Sequence, residues 1–507
     1  MKMSLGSSAR GSHNQQDPFS TAGTLDTPGH GFNRYMGMTS EYDPLLLNSK
    51  FYRNKLDSSH GPVSFRMASK DTHFAQLPHP DSDSQYQDLS DLESIEALVA
   101  PHGQKLLDLY FRVADPAYPI LNKEAFLQSC STRRWVVSPS LLAAMYLQAI
   151  SWWSFSPDLN HLQQPDVGHL ENIAYRTLLG SMQRPQLSTV QAGLLLLQRS
   201  NREPPWPLTA QLVAIGQELG LHVDCSEWNI PEWEKGLRKR LAWALFVQDV
   251  WSASTMGRPR RLTDSNWGVK SIGEADFPDG DIDENGDDQA VDVSNGRNVF
   301  LFMISLSQML AEVLETLYSQ SAESKVGQSS RTAATQAILS IAKPIQLRLR
   351  SWHGILTSTL PLDSVTPGRL SAIGSLHLCY FATEITLHRR IIRSLSPDTN
   401  ENLVDIVRSA AKARLISSLD FFNRLRPEHL QGLWYFGSSV NFAIIGTFGC
   451  LLMKTSDSRH EASFYEQRLQ EYRWTLGVSG QRAIAGLLDV ACDLLDNSMG
   501  EAVEQAS

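Results

Sequence analysis

Apolar residues recur every three to four positions from about Ser90 onward, a spacing that predicts helices. The segments that keep it run through 103–112, 123–130, 139–154, 168–181, 188–199, 207–220, 231–256, 297–320, 330–352, 369–394, 401–424, 428–453, 458–473 and 480–497, and Pro or Gly punctuates most of the gaps. Strand-type alternation is scarce, and no fixed-period repeat is visible. The pattern predicts an all-α fold, a large irregular multi-helix array, over residues 89–497. Residues 1–88 sustain neither period and are rich in Ser, His, Asp, Gln and Gly, so they read as a mostly disordered, linker-like region. Within them only Val63 to Leu77 is denser, as a short strand or docking peptide. A mobile acidic loop is expected at 274–296, where the nine acidic residues between Glu274 and Asp292 cannot pack without partners. Residues 498–507 read as a disordered tail.

The helix at 231–256 has marked ends. Asn229 is placed to cap it, Pro231 suits a first helical position, and Glu232 and Glu234 put negative charge on the first turn. Trp233, Leu237, Leu241, Ala244 and Leu245 form its apolar face, and Lys235, Arg238, Lys239 and Arg240 fall mostly between them. Gly257 followed by Pro259 is a stop. This basic cluster, extended by Arg258, Arg260 and Arg261, reads first as a solvated helix face. Its functional alternatives are a nuclear-import patch or a contact for an acidic partner, including the chain's own acidic loop. Asp249 stands in an apolar run, and burying it unpaired would cost several kcal/mol. It is therefore expected to pair with Arg258 or Arg238, tying the helix to its C-terminal turn.

The same stretch resembles the middle homology region of the fungal-specific transcription factors, the regulatory domain that follows a binuclear zinc cluster. The resemblance rests on Leu219 to His222 (LGLH), Trp228 and Pro231, Arg238 to Trp243, Asp249, and Gly257 to Pro259 (GRP), with Tyr110 to Phe126 matching the family's opening segment. It covers roughly residues 90–490. On it, Trp233, Arg238, Arg240, Trp243, Asp249, Gly257, Arg258 and Pro259 are the structural motif residues. Cys379 to Ile392 and Ala413 to Leu452 resemble the sub-group that activates nitrogen-catabolic genes, such as those for allantoin and γ-aminobutyrate use. The resemblance implies a nuclear transcription regulator acting on RNA polymerase II genes, with co-regulators as partners and an unidentified small-molecule effector.

Composition changes this picture in two places. The net charge of −9 argues against tight unaided binding to nucleic acid. The family's zinc cluster needs six closely spaced cysteines, whereas Cys130, Cys225, Cys379, Cys450 and Cys492 are dispersed and none precedes Cys130. As given, the chain cannot build that module. Two expectations follow: a gene model starting downstream of the cluster, or a cluster-less co-regulator or scaffold recruited by another DNA-binding factor. DNA is reached indirectly or through the missing module, and zinc is a cofactor only if an upstream cluster exists.

Other chemistry is thin. The N-terminus has no apolar core of a secretion signal. The charge-free run Gly432 to Met453 is long enough to cross a bilayer, but its Ser, Asn and Gly residues favour a buried helix pair, and no membrane association is expected. Asp281, Asp283, Asn285, Gly286 and Asp292 mimic a calcium loop, which Asp288 at its apolar position and Asp at its last position spoil. No phosphate loop, HExxH or GxSxG motif occurs, and His222, His377, His388 and His429 stand singly. An all-α enzyme with a scattered site is the remote alternative. No catalytic, cofactor-binding or metal-ligating residue is assigned.

Overall fold

A helix with no polar face must be covered on all sides, and such helices set the layout of this domain. The computed structural model describes residues 23–25, 32–40, 64–77, 82–132, 137–199, 205–278, 287–327 and 331–504. The first half contains α1 (Ser82–Val99), α2 (Gly103–Val113), α3 (Lys123–Thr132), α4 (Pro139–Ile150), α5 (Val167–Ser181), α6 (Leu187–Gln198), α7 (Trp206–Glu218) and α8 (Glu232–Met256). The second half contains α9 (Asp287–Leu317), α10 (Gln320–Gly327), α11 (Arg331–Thr359), α12 (Ile373–Ser394), α13 (Glu401–Asn423), α14 (Pro427–Leu430), α15 (Ser438–Lys454), α16 (Arg459–Gly480) and α17 (Asp489–Glu504). Every residue of α4 is buried, because α1, α2, α5 and α6 surround it. In the second half α12 and α15 pack on each other and carry α11, α13, α16 and α17 around them. Helix α9 joins the halves by packing on α8, α11 and α12, and one continuous apolar core runs through both.

The run that has the length of a membrane span, expected as a buried helix pair, is instead a buried Trp434-Tyr435-Phe436 link leading into the single helix α15. Its glycines have a packing role. A Cβ at Gly446 would lie 2.8 Å from Leu495, and one at Gly449 would lie 2.7 Å from Leu469, so only glycine lets α17 and α16 approach this closely. Among the described residues, Val293–Leu317 within α9 is long and apolar enough to cross a membrane, yet half of its apolar window is buried as a core helix.

The region 1–88, expected to be mostly disordered, is ordered where it is described, and the stretch expected as a short strand or docking peptide supplies two strands. β1 (Phe32–Met36), β2 (Ser64–Ser69) and β3 (Thr72–Leu77) form an antiparallel sheet in the order β1-β3-β2, and α1 starts at Ser82. The strands are short and hold themselves on a small separate cluster of Leu25, Ala68, Phe74, Cys225, Trp228 and Ile230. A long-range contact of this kind leaves no period in the local sequence. The acidic segment is also partly ordered: Glu274–Asp276 forms a 3-10 turn and α9 begins at Asp287. Asp281, Asp283, Asn285 and Gly286 of the calcium-loop mimic lie outside the described residues, and Asp288 and Asp292 fall within α9. Helix α17 runs through Glu504, into the stretch expected as a disordered tail.

His377, His388 and His429 of the second half are buried and His353 is half-buried, and burial holds all four rings neutral. Burial pushes His353, His377, His388 and His429 down to about 4 each. The Nδ1 of His429 accepts the Arg426 N–H at 3.0 Å, as only an unprotonated nitrogen can. Their ordinary value is 6.5, so below that pH the unfolded chain takes up protons that the folded rings refuse. Stability is thus complete above pH 6.5 and lost as pH falls toward 4. The melting temperature is expected to decline across that window, and His388→Leu should flatten the decline by on the order of 2 kcal/mol. An unchanged slope in His388→Leu would show that the ring titrates freely in the folded protein.

Candidate functional site

The sequence concentrates its unusual polar residues on α8, and the fold buries them at three levels along that helix. At the first level, Glu234 is fully buried and Arg238 nearly so, and they pair one turn apart at 2.8 Å. The other oxygen of Glu234 accepts the Thr24 hydroxyl and the Leu25 N–H, the latter at 3.1 Å. Arg238 also donates to the Leu219 carbonyl at 3.0 Å and lies over the Trp228 ring. Arg66 of β2 donates to the carbonyls of Gly23 and Thr24, and the Asn229 N–H donates to the Ala68 carbonyl at 2.7 Å. One buried ion pair thus anchors the small sheet and the turn at 23–25 onto α8 and the Leu219–His222 turn.

At the second level, Arg240 is buried and donates to the carbonyls of Asp276 and Leu121, each at 3.1 Å. Burial lowers its guanidinium to about 10. The nearby Asp115 carboxyl is pushed up to about 7 by burial, with Arg240 opposing the rise. Lys239 pairs with Asp276 at 2.9 Å, so the start of the acidic segment is fastened to α8.

At the third level, Asp249 is fully buried. Its Oδ2 accepts the backbone N–H groups of Arg261 and Leu262, both at 2.9 Å. Burial raises its carboxyl, and those two amides and the charges of Arg260 and Arg261 oppose the rise. Gly257, at φ 61°, caps the helix in the left-handed region and turns the chain so that these amides face the carboxylate.

The expected partners of Asp249 need correcting. Arg238 is engaged by Glu234, and Arg258 is exposed beside the Trp206 ring, so backbone amides do the pairing. The reading of the basic cluster as a solvated face is also overturned: Arg238 and Arg240 are internal, and Lys235 and Lys239 are mostly covered. Asn229 does not cap α8, since Pro231 occupies that position without a side-chain cap. Of the other motif residues, Trp233 is half-buried, and Trp243 packs against Phe246 and Trp267 and donates to the Lys270 carbonyl at 2.9 Å. Pro259 lies exposed in the turn. In the second half His388 meets Gln346 at 3.2 Å, and Arg390 pairs with Glu323 at 2.9 Å.

Sequence reasoning treated Glu234 only as a first-turn acid and passed over Asp115. The four-residue spacing of Glu234 and Arg238 was a visible signal. Nothing local marks Asp115, whose neighbour Arg240 is distant in sequence.

Residues 107–354 match the fungal specific transcription factor domain, a stretch that contains α8 and all three of its buried polar levels. The chain belongs to that family. It is 36% identical over 426 residues to the transcriptional activator protein DAL81 of Saccharomyces cerevisiae, covering 77% of this chain and 43% of that protein. An uncharacterised transcriptional regulatory protein of Schizosaccharomyces pombe is 28% identical over 58% of this chain and 42% of its own length. Transcriptional activator protein acu-15 of Neurospora crassa is 24% identical, over 61% of this chain and 33% of its own. The chain therefore spans about two-fifths of the length of the first two relatives. No solved structure matches it. The family and these relatives are transcription regulators and not enzymes.

Two outcomes test the polar levels of this transcription factor domain. Asp249→Ala leaves two buried amides without an acceptor and should cost about 3 kcal/mol, whereas Arg258→Ala should stay within roughly 0.5 kcal/mol. Equal losses of melting temperature would restore an arginine as the partner. Glu234→Gln should leave Arg238 underpaired and speed hydrogen exchange in Ser64–Leu77, and unaltered exchange there would remove Glu234 as the anchor of the sheet.

Proposed function

We propose that this transcription regulator works in the nucleus on RNA polymerase II genes, by contacts of its helical domain with other proteins. The observation that carries this reading is the inward placement of Arg238 and Arg240. The helical part of the densest basic cluster is turned into the fold, and a net charge of −9 disfavours a phosphate backbone. DNA is then reached through another DNA-binding factor or a zinc-cluster module, and co-regulators are the partners. The residues present do not suit zinc. The five cysteines are dispersed, and among the described residues no group of three or more His, Cys, Asp or Glu is arranged to hold a metal ion. Nitrogen-catabolic genes are the proposed targets, supported by the resemblance of Cys379 to Ile392 and Ala413 to Leu452 and by the likeness to DAL81.

Fusion of the chain to a heterologous DNA-binding domain should raise transcription of a reporter several-fold, and more strongly when the nitrogen source changes. The isolated chain should show no tight binding to duplex DNA in a mobility-shift assay. A well-expressed fusion that leaves the reporter silent, or a tight complex of the isolated chain with DNA, would defeat this reading.

A further inference from the structure

We infer that the face shared by α15 and α17 docks an amphipathic helix of another protein, one whose apolar stripe is flanked by Lys and Arg. This docking site rests on the reading that the domain works through contacts with other proteins. Its surface consists of two short apolar rows that the core leaves partly uncovered. On α15, Val440, Ile444, Thr447 and Leu451 follow the three-to-four spacing of one helix face and are only half-buried. On α17, Val490 and Leu494 stand one turn apart and are 37% and 41% exposed.

Helix geometry puts both rows on one side. Successive side chains turn about 100° around a helix axis. Leu495 of α17 packs on Gly446 of α15, and Asp496, one residue on, turns to Arg473 of α16 at 2.7 Å. Leu494, one residue back, therefore turns the opposite way, away from α16. The same holds on α15. There Gly446 faces α17 and Gly449 faces Leu469 of α16, so Thr447 and its row point to the side that α16 leaves open. Ser498 lies beside Cys450, so the two helices run in the same direction and their apolar rows stay together. From Val440 to Leu451 the groove is about 17 Å long, room for three turns of a docked helix.

Charge selects the occupant. Helix α17 carries five acidic residues and no basic one. Asp489 and Asp493 are exposed beside Val490 and Leu494, and neither forms an ion pair among the described residues, whereas Asp496 is engaged by Arg473. An uncompensated acidic rim along an apolar groove attracts a cationic partner and repels an anionic one. A second copy of this chain would bring the same carboxylates onto one interface, and a phosphate-bearing surface meets the same repulsion. A helix with apolar residues at i, i+3, i+4 and i+7 fills the groove. Its Lys and Arg reach Asp489 and Asp493 on long stems that also cover apolar surface.

The test uses the full chain and a set of labelled Leu/Lys peptides of about 18 residues, long enough to be helical, read by fluorescence anisotropy at physiological salt. Peptides with Glu in place of Lys, or Ser in place of Leu, are the controls. At least one Leu/Lys peptide should bind with a Kd below about 100 μM, and both controls about tenfold more weakly. Leu494→Ser, on an exposed side chain, should weaken that binding about tenfold. Asp489→Asn combined with Asp493→Asn should weaken it several-fold and flatten its salt dependence. Trp474→Ser, at an exposed tryptophan of α16, should leave it unchanged. No binding below about 1 mM, equal affinity in Leu494→Ser, or equal binding of the Glu peptide overturns the site. A parent chain that dimerises in sedimentation, and a monomeric Leu494→Ser, would give the groove to a second copy and overturn it likewise. These assays read docking without transcription. A silent reporter fusion beside intact peptide binding would therefore defeat the proposed function and leave the groove in place.

Discussion

A guanidinium or carboxylate removed from water costs several kcal/mol unless its polar atoms find partners, and α8 places Glu234, Arg238, Arg240 and Asp249 out of water on one rod. Each partner comes from somewhere else in the chain. Glu234 reaches residues 23–25, Arg238 the Leu219 carbonyl, Arg240 the carbonyls of Leu121 and Asp276, and Asp249 the amides after the Gly257 turn. The helix therefore specifies which segments surround it, because a wrong neighbour would strand a charge. Apolar burial would hold a helix bundle together without choosing among similar packings. Directional polar contacts supply the choice.

That choice also shapes how the domain is put together. The α8 network fastens the first half, the small sheet and the start of the acidic segment into one body. The second half is built on α12 and α15 and meets that body through α9 and through hydrogen bonds such as Trp152 to Gln431 and Tyr435 to Ala117. The halves share one continuous apolar core, and these hydrogen bonds fix the arrangement in which they meet.

The helices were legible because their periodicity is strong and their breaks carry Pro and Gly. The end of α8 at Gly257 was read from one glycine and one proline, and the left-handed φ confirms the reason. The break within 428–453 was not legible, since Trp434, Tyr435 and Phe436 are as apolar as a helix core and are buried as an extended link. Val63 to Leu77 was marked as a short strand or docking peptide and holds β2 and β3, but the sheet was not legible because β1 and β3 pair across a long intervening stretch and their burial depends on Trp228 and Ile230. At the motif itself, residue identity was informative and partnership was not. Asp249 was recognised as a buried acid needing a donor, and the donor is a backbone that no side-chain pattern announces.

By itself the sequence determined the helical class, the family and the residues whose burial would need explaining, since periodicity, caps and motif spacing are local properties. Tertiary structure alone decided that Arg238 and Arg240 point inward and that Glu234 anchors the N-terminal sheet. Those facts depend on which distant segments meet. A charge carries no local mark of whether water, a carbonyl or a carboxylate will surround it; only the packing of the whole chain assigns it one.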